Sequence, residues 1–282
     1  MIHKKITIEI DYEALGIEHK GPEAFFVTYI RDRFEDMQNP FHRPFVLIAP
    51  GGGFDHLSPR EGEPVALELL KRGFNCAVLH YSLAPNTFPC ALYEAAWAID
   101  YVKDHAAEWD VNPHRVIMAG FSAGGHVAAG LATLYNEPEL AAFEKNVLDR
   151  SPEDIVPDGL LLGYPVILSG KHAHEGSIKN LCGDRLEELK DSMSLEKRVD
   201  KSTPKTFIWH TFEDNSVPLE NSLAFVSSLR KHEVPFEYHV FPQGCHGLSL
   251  GTADTDLKDG RHNNPQVTVW PELFENWVKN NI

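Results

Sequence analysis

The residues most able to do chemistry are Ser122, His246 and one member of the adjacent pair Glu213 and Asp214. Ser122 is the centre of Gly120-Phe121-Ser122-Ala123-Gly124, a G-x-S-x-G string. The string follows an apolar run, Val116-Ile117-Met118-Ala119, and precedes the small-residue stretch from Gly125 to Ala132. A strand, a sharp turn and a helix in that order hold a serine hydroxyl at the apex of the turn. There the helix N-terminus lends partial positive charge to any anion that forms. Glycine at 120 and 124 removes Cβ atoms that would collide in so tight a turn. Taken alone, the string fits equally a glycine-rich turn whose serine merely caps a helix, so its context decides.

A serine hydroxyl is a poor nucleophile until a base takes its proton, and the base is usually a histidine oriented by a carboxylate. After a strand–turn–helix serine, the acid and then the histidine follow in chain order. The acid belongs just after a late strand. Thr206 to His210 reads as that strand, and it runs into Thr211-Phe212-Glu213-Asp214-Asn215-Ser216-Val217-Pro218, where Glu213 and Asp214 both qualify. A solvated acidic loop is the plain alternative. The histidine belongs after the last strand, Phe236 to Phe241, where Gly244-Cys245-His246-Gly247 offers His246 in a glycine-flanked loop. The chain holds 15 histidines. His239 lies on the strand itself and His262 in a polar tail, so both read as structural or solvated. The third need is an oxyanion hole, in which each well-aimed donor supplies roughly 3 kcal/mol. One donor is the backbone N–H of Ala123. The other comes from Pro50-Gly51-Gly52-Gly53-Phe54, with Gly52 and Gly53 as candidates, because glycine lets the backbone approach a substrate and turn its amides inward.

Those loops must be held by a scaffold. Ile6, Ile8 and Ile10 alternate with polar residues, as in an edge strand, and Ala24 to Arg31 reads as a second strand, followed by a turn over 40–44. Phe45 to Ala49 is apolar throughout, which suits a central parallel strand. Helices are expected over 60–72, 91–109, 219–232 and 270–279, and further strands over 76–80, 115–119 and 158–164. This alternation predicts an α/β fold: a three-layer sandwich around a mainly parallel eight-stranded sheet, with two antiparallel N-terminal strands at one edge. One domain over 1–282 is expected, with cap-like excursions near 136–157 and 169–205 above the C-terminal edge of the sheet, where ligands bind in open α/β folds.

Composition excludes several classes. A formal net charge of −15 disfavours nucleic-acid and anionic-membrane partners. No apolar run reaches the roughly 18 residues that cross a bilayer. The N-terminal alternation predicts a strand and no signal peptide. Cys76, Cys90, Cys182 and Cys245 are scattered without metal-ligand spacing, so free thiols, no metal and a cytoplasmic location are expected. Trp209, Trp270 and Trp277 read as core; Phe54 and Leu83 read equally as core or as the wall of an acyl pocket.

The same residues resemble those of the α/β-hydrolase superfamily, and within it esterases similar to acetyl xylan esterases and carbohydrate deacetylases. Pro50-Gly51-Gly52-Gly53-Phe54 resembles the H-G-G-G motif of hormone-sensitive-lipase-type esterases, with proline for histidine. Tyr81-Ser82-Leu83-Ala84-Pro85 resembles their Y-R-L-A-P segment, with serine for arginine. Gly120 to His126 matches the xylan-esterase-like elbow, Asp214-Asn215-Ser216-Val217-Pro218 matches a D-x-x-V-P pattern, and His246-Gly247 the final H-G. The likeness runs from about Phe26 to Trp277. It implies Asp214 and not Glu213 as the acid, no cofactor, and a small ester substrate bearing a short acyl group, acetyl on a sugar or other small alcohol. It leaves a homodimer open. The two departures move the chain away from lipid-like substrates. A broad carboxylesterase or lipase, a prolyl-oligopeptidase-like peptidase and a non-catalytic binding protein on the same scaffold are the rival readings. The peptidase needs a gating domain for which this chain has no room, and the binding protein has no use for a complete set of catalytic groups.

Overall fold

A computed structural model of the protein describes residues 1–33 and 42–282. Eight strands form one sheet: β1 (Lys5–Thr7), β2 (Phe25–Tyr29), β3 (Arg43–Ala49), β4 (Asn75–His80), β5 (Val111–Phe121), β6 (Gly159–Gly163), β7 (Thr206–Thr211) and β8 (Phe236–Phe241). Their spatial order is β1-β2-β4-β3-β5-β6-β7-β8. The β1–β2 and β2–β4 pairs are antiparallel, and every later pair is parallel. The parallel strands therefore end at one edge, and the loops after β3, β5, β7 and β8 gather there.

β3 shows why this sheet is buried on both sides. Phe45, Leu47 and Ala49 pack into one cluster and Val46 and Ile48 into the other, all fully buried. A side chain of this kind contributes roughly 1.5–3 kcal/mol when withdrawn from water. The first cluster is covered by α2 (Cys90–Asp104), α3 (Ala123–Leu134) and α7 (Glu220–Lys231), through residues such as Ile99, Leu131 and Phe225. The second is covered by α1 (Glu63–Lys71) and α8 (Trp270–Asn281), through Leu69, Phe274 and Trp277. Trp209 and Trp270 are fully buried and stack with ring centroids 5.8 Å apart.

Several boundaries differ from the sequence expectation. The helix expected over 60–72 is a 3₁₀ turn at Pro59–Glu61 and then α1, parted by Gly62. Pro64, in the first turn of α1, has no N–H with which to continue a ladder from residue 60. The helix expected over 91–109 stops at Asp104; Asp110 takes φ 53°, which reverses the chain into β5. The expected turn over 40–44 lies partly outside the described residues, and Arg43 and Pro44 already belong to β3. Residues 136–157 pack along α2 and, through Glu137 and Glu139, pair with Arg198 and Arg185 of the 169–205 segment. They form α4 (Pro138–Phe143) and short turns running down α2, with the Phe143 ring stacked on Tyr93 and the Asp154 carbonyl accepting from Lys103 Nζ at 2.6 Å. Residues 169–205, with α5 (Glu175–Cys182) and α6 (Leu186–Leu189), do reach the loops at the C-terminal edge, where Asn180 Nδ2 donates to the Gly53 carbonyl at 2.9 Å. Among the described residues no helix is long and apolar enough to cross a membrane.

Candidate active site

β5 ends at Phe121 and α3 begins at Ala123, leaving Ser122 alone in the turn at φ 53°, ψ −120°. A serine takes this left-handed conformation only under compulsion. The compulsion is visible on both sides. The Ser122 N–H donates to the Gly163 carbonyl at 3.0 Å, and the Ser122 carbonyl accepts from Val166 N–H at 2.9 Å. A Cβ at Gly120 would lie 2.1 Å from the Gly124 carbonyl oxygen, and one at Gly124 would lie 2.0 Å from the Ala49 oxygen. The turn closes only because both are absent.

The three distant groups meet. His246 Nε2 lies 2.8 Å from Ser122 Oγ, and His246 Nδ1 lies 2.6 Å from Asp214 Oδ2. A carboxylate can only accept, so Nδ1 carries the proton and Nε2 is left to accept from the serine hydroxyl. Ser122 is 7% exposed, while the Asp214 side chain is wholly buried. Burial alone would raise the Asp214 carboxyl. Hydrogen bonds and charge from His210 and His246 outweigh it and hold the group well below the usual carboxylate range. Asp214 Oδ1 also accepts the Ser216 and Val217 amides, each at 2.9 Å.

Glu213, the other acid weighed, points elsewhere: its Oε2 accepts the Gly244 N–H at 3.1 Å and so ties the acid loop to the histidine loop. Cys245 sends its thiol toward the Arg261 carbonyl, and burial raises its pKa, the opposite of an activated thiolate. His239 pairs with Glu237 on β8. His262 is 5% exposed and so is buried, not solvated.

The Ala123 amide opens α3, and the Gly52 and Gly53 amides face no acceptor among the described residues. Gly52 (φ 127°) makes a sharp bend, with its carbonyl accepting from the Asp55 and His56 amides. The neighbouring Gly51 N–H is taken up by Glu61 Oε2 at 2.8 Å. Phe54 is buried. With Phe88, Leu92, His126, Val127 and Leu181 it lines a narrow apolar crevice beside the first turn of α3. Burial lowers the His126 pKa to about 4, and its Nε2 lies 3.0 Å from the Met193 carbonyl, so the ring is a neutral wall of that crevice.

Three neighbours of this row were not legible in the sequence. His210 is fully buried at the end of β7, with Nε2 3.2 Å from Asp214 Oδ2 and 3.0 Å from the Val217 carbonyl. The only signal was a polar residue ending an apolar strand, four positions before the acid. Tyr164 sets its ring edge-on to His246, centroids 5.0 Å apart. His174, ahead of α5, has a pKa lowered by burial and by the charge of His246. No motif marks either residue. The described residues include one cluster with metal-ligand chemistry, Asp256, Asp259 and His262, whose donor atoms lie within 4.8 Å of one another. Asp259 there is already paired with Arg261 Nε at 2.7 Å.

Comparison with known proteins agrees with this architecture. The BD-FAE family profile matches residues 34–229, more than half of the chain. The chain is 36% identical over 217 residues to an endo-1,4-beta-xylanase B of Butyrivibrio fibrisolvens, covering 74% of this chain and 33% of that protein. It is 30% identical over 226 residues to an acetylxylan esterase of Xylanibacter ruminicola, covering 76% and 43%. The chain thus spans a third to under half of the length of these relatives. Over nearly its whole length it is similar to the crystal structure of an acetyl ester-xyloside bifunctional hydrolase from Caldicellulosiruptor lactoaceticus, with a TM-score of 0.83, 34% identity, and coverage of 98% and 96% of the two chains. Family match, strand order and the strand–turn–helix at Ser122 agree, and the chain belongs to the BD-FAE family of α/β hydrolases.

Proposed function

We propose that the protein is a serine carboxylic ester hydrolase that removes a short acyl group, acetyl above all, from a sugar or other small alcohol. One observation carries the reading: the unbroken row from Ser122 Oγ through His246 to Asp214, at 2.8 and 2.6 Å. Ser122 Oγ attacks the ester carbonyl carbon as its proton passes to His246 Nε2, and Asp214 steadies the imidazolium. The oxyanion faces the Ala123 amide and those of Gly52 and Gly53. Collapse breaks the bond to the alcohol, which leaves with the proton from His246. Water then attacks the acyl-enzyme by the same relay, releasing the acid and restoring Ser122. Every step uses groups of this chain and water.

The acetyl preference is supported by the relatives, which include an acetylxylan esterase and an acetyl ester-xyloside bifunctional hydrolase. The four cysteines are unpaired, which suits a reducing compartment, and a cytoplasmic location is part of the proposal. Turnover of p-nitrophenyl acetate tests the chemistry: Ser122→Ala is expected to lose nearly all of it, and retained activity refutes the assignment. A series from acetyl to octanoyl esters tests the acyl preference. A steep fall beyond propionyl is expected, and a flat profile favours the broad carboxylesterase.

A further inference from the structure

Glu61 is buried to 2% exposure on the 3₁₀ turn before α1, and it takes no part in the steps above. Its two oxygens reach two different catalytic loops. Oε2 accepts the Gly51 N–H at 2.8 Å. The carbonyl at the other side of that peptide, on Pro50, accepts from Tyr81 Oη at 2.6 Å. The Pro50–Gly51 peptide plane is therefore fixed at both ends, immediately before the Gly52 and Gly53 amides. A Cβ at Gly51 would lie 2.7 Å from Ser122 Cβ and 2.7 Å from Glu61 Oε2, so this peptide is pressed between nucleophile and carboxylate.

Oε1 accepts from Tyr164 Oη at 2.7 Å, and the Tyr164 oxygen in turn accepts the Ser249 N–H at 2.9 Å. Tyr164 is the residue edge-on to His246, and Ser249 lies on the loop that carries His246. Arg60 grips the same loop: its Nη1 donates to the Gly247 carbonyl at 2.5 Å, and its carbonyl accepts from Ser249 Oγ at 2.5 Å.

We infer that Glu61 is a positioning residue that sets the oxyanion loop and the His246 loop in register with each other. The inference rests on the reading of Ser122 as a nucleophile. The chemistry requires a carboxylate, because both of its neighbours are donors. A carboxylate accepts from both at once; an amide offers one accepting atom and presents N–H groups to the other donor. An Ångström-scale error in either loop degrades the near-attack geometry without touching substrate binding elsewhere.

The test is Glu61→Gln, assayed on p-nitrophenyl acetate beside wild type. A fall in kcat of about 10- to 100-fold is expected, less than the loss of a whole oxyanion donor. KM should stay within about 2-fold, and the midpoint of thermal unfolding should fall because one buried donor loses its partner; the loss in kcat at unchanged KM, measured on folded enzyme, is the split that a merely structural role would not give. Tyr164→Phe keeps the Gly51 bond and cuts the link to Ser249, so it should lower kcat by a smaller factor, about 3- to 10-fold, and combine non-additively with Glu61→Gln. If Glu61→Gln does not fold, Tyr164→Phe decides. Wild-type kcat in whichever variant folds overturns the inference, as does a loss confined to KM. Fluorophosphonate labelling of wild-type Ser122 separates the two claims. An unlabelled serine sinks the esterase reading, while a labelled one with indifferent variants sinks the role of Glu61 alone.

Discussion

Asp214 receives four donors, two amides and two imidazoles, and the second imidazole changes what the acid can do. Both acceptors near His210 Nε2, Asp214 and the Val217 carbonyl, require a proton on that nitrogen, so His210 is fixed as a donor. Its Nδ1 lies 2.7 Å from Ser222 Oγ. His210→Phe keeps a buried ring but strips Asp214 of one donor and orphans the Val217 carbonyl and the Ser222 hydroxyl. Each buried group left unpaired costs about 1–3 kcal/mol. The variant should therefore unfold at lower urea, with kcat for p-nitrophenyl acetate down about 10-fold; unchanged kcat would confine His210 to holding the loop. Gly52→Ala argues the other wall of the site. Its Cβ would lie 1.9 Å from the His56 carbonyl at a φ of 127°. The loop must move, and kcat should fall by about 10²- to 10³-fold, as for a lost oxyanion donor. Ser122 and His246 stand out in the sequence as candidates because both sit in glycine-marked turns whose chain order carries meaning. The sequence was silent on His210 and Glu61 because their roles exist only across strands and loops brought together by folding.

The strand–turn–helix around Ser122 is legible for a related reason: its requirement is local. Gly120 and Gly124 must lack Cβ atoms to let the element close on itself, and their spacing says so in one dimension. Gly120→Ala should therefore be among the most damaging single-methyl changes, since its Cβ would meet unyielding backbone, the Gly124 oxygen at 2.1 Å and the Gly125 Cα at 2.7 Å. We expect a thermal midpoint lowered by many degrees together with loss of turnover. Gly170→Ala, with nothing within 4 Å of its added Cβ, is the matched control and should behave as wild type. A mild Gly120→Ala would mean that the turn relaxes easily. β3, β6 and β7 were equally readable, being apolar on both faces. Elements that depend on partners were not. β1 ends at Thr7 although Ile8 and Ile10 continue the alternation, because its ladder with β2 ends at Phe25 and only the Ile8 N–H to Ala24 carbonyl bond follows. The path of 136–157 along α2 is held by partners distant in sequence, such as Tyr93 with Phe143 and Lys103 with Asp154, which no local pattern encodes.

Across the whole molecule, the N-terminal segment is fastened to the sheet and α2 through one buried acid. Glu94 is fully buried. It accepts from Tyr12 Oη and from the Ser82 N–H, each at 2.6 Å, and from the Ser82 hydroxyl, which also lies 2.8 Å from His19 Nε2. Position 82 is where the resembling esterases carry arginine, so here the acid sits among neutral donors. Burial pushes its pKa from the usual 4.5 up to about 7, against the smaller opposing effect of those hydrogen bonds. The folded state thus binds a proton that the unfolded state has released, throughout the window between those two values. Stability from this group is complete below about pH 4.5 and is lost as pH rises toward 7. At about 1.4 kcal/mol per unit, the loss is at most about 3.5 kcal/mol. Glu144, also raised by burial, to about 8, adds a slope of the same sign, whereas the contribution of Asp214 runs the other way and lies at lower pH. The decisive measurement is therefore a difference: urea unfolding of wild type and of Glu94→Gln at intervals from pH 5 to 8. Gln carries no titrating proton, so wild type should lose ground to the variant from pH 5 up to about pH 7 and stay level above it. Parallel stability curves would mean that Glu94 titrates alike in both states and that the acid beneath Tyr12 is solvated when folded.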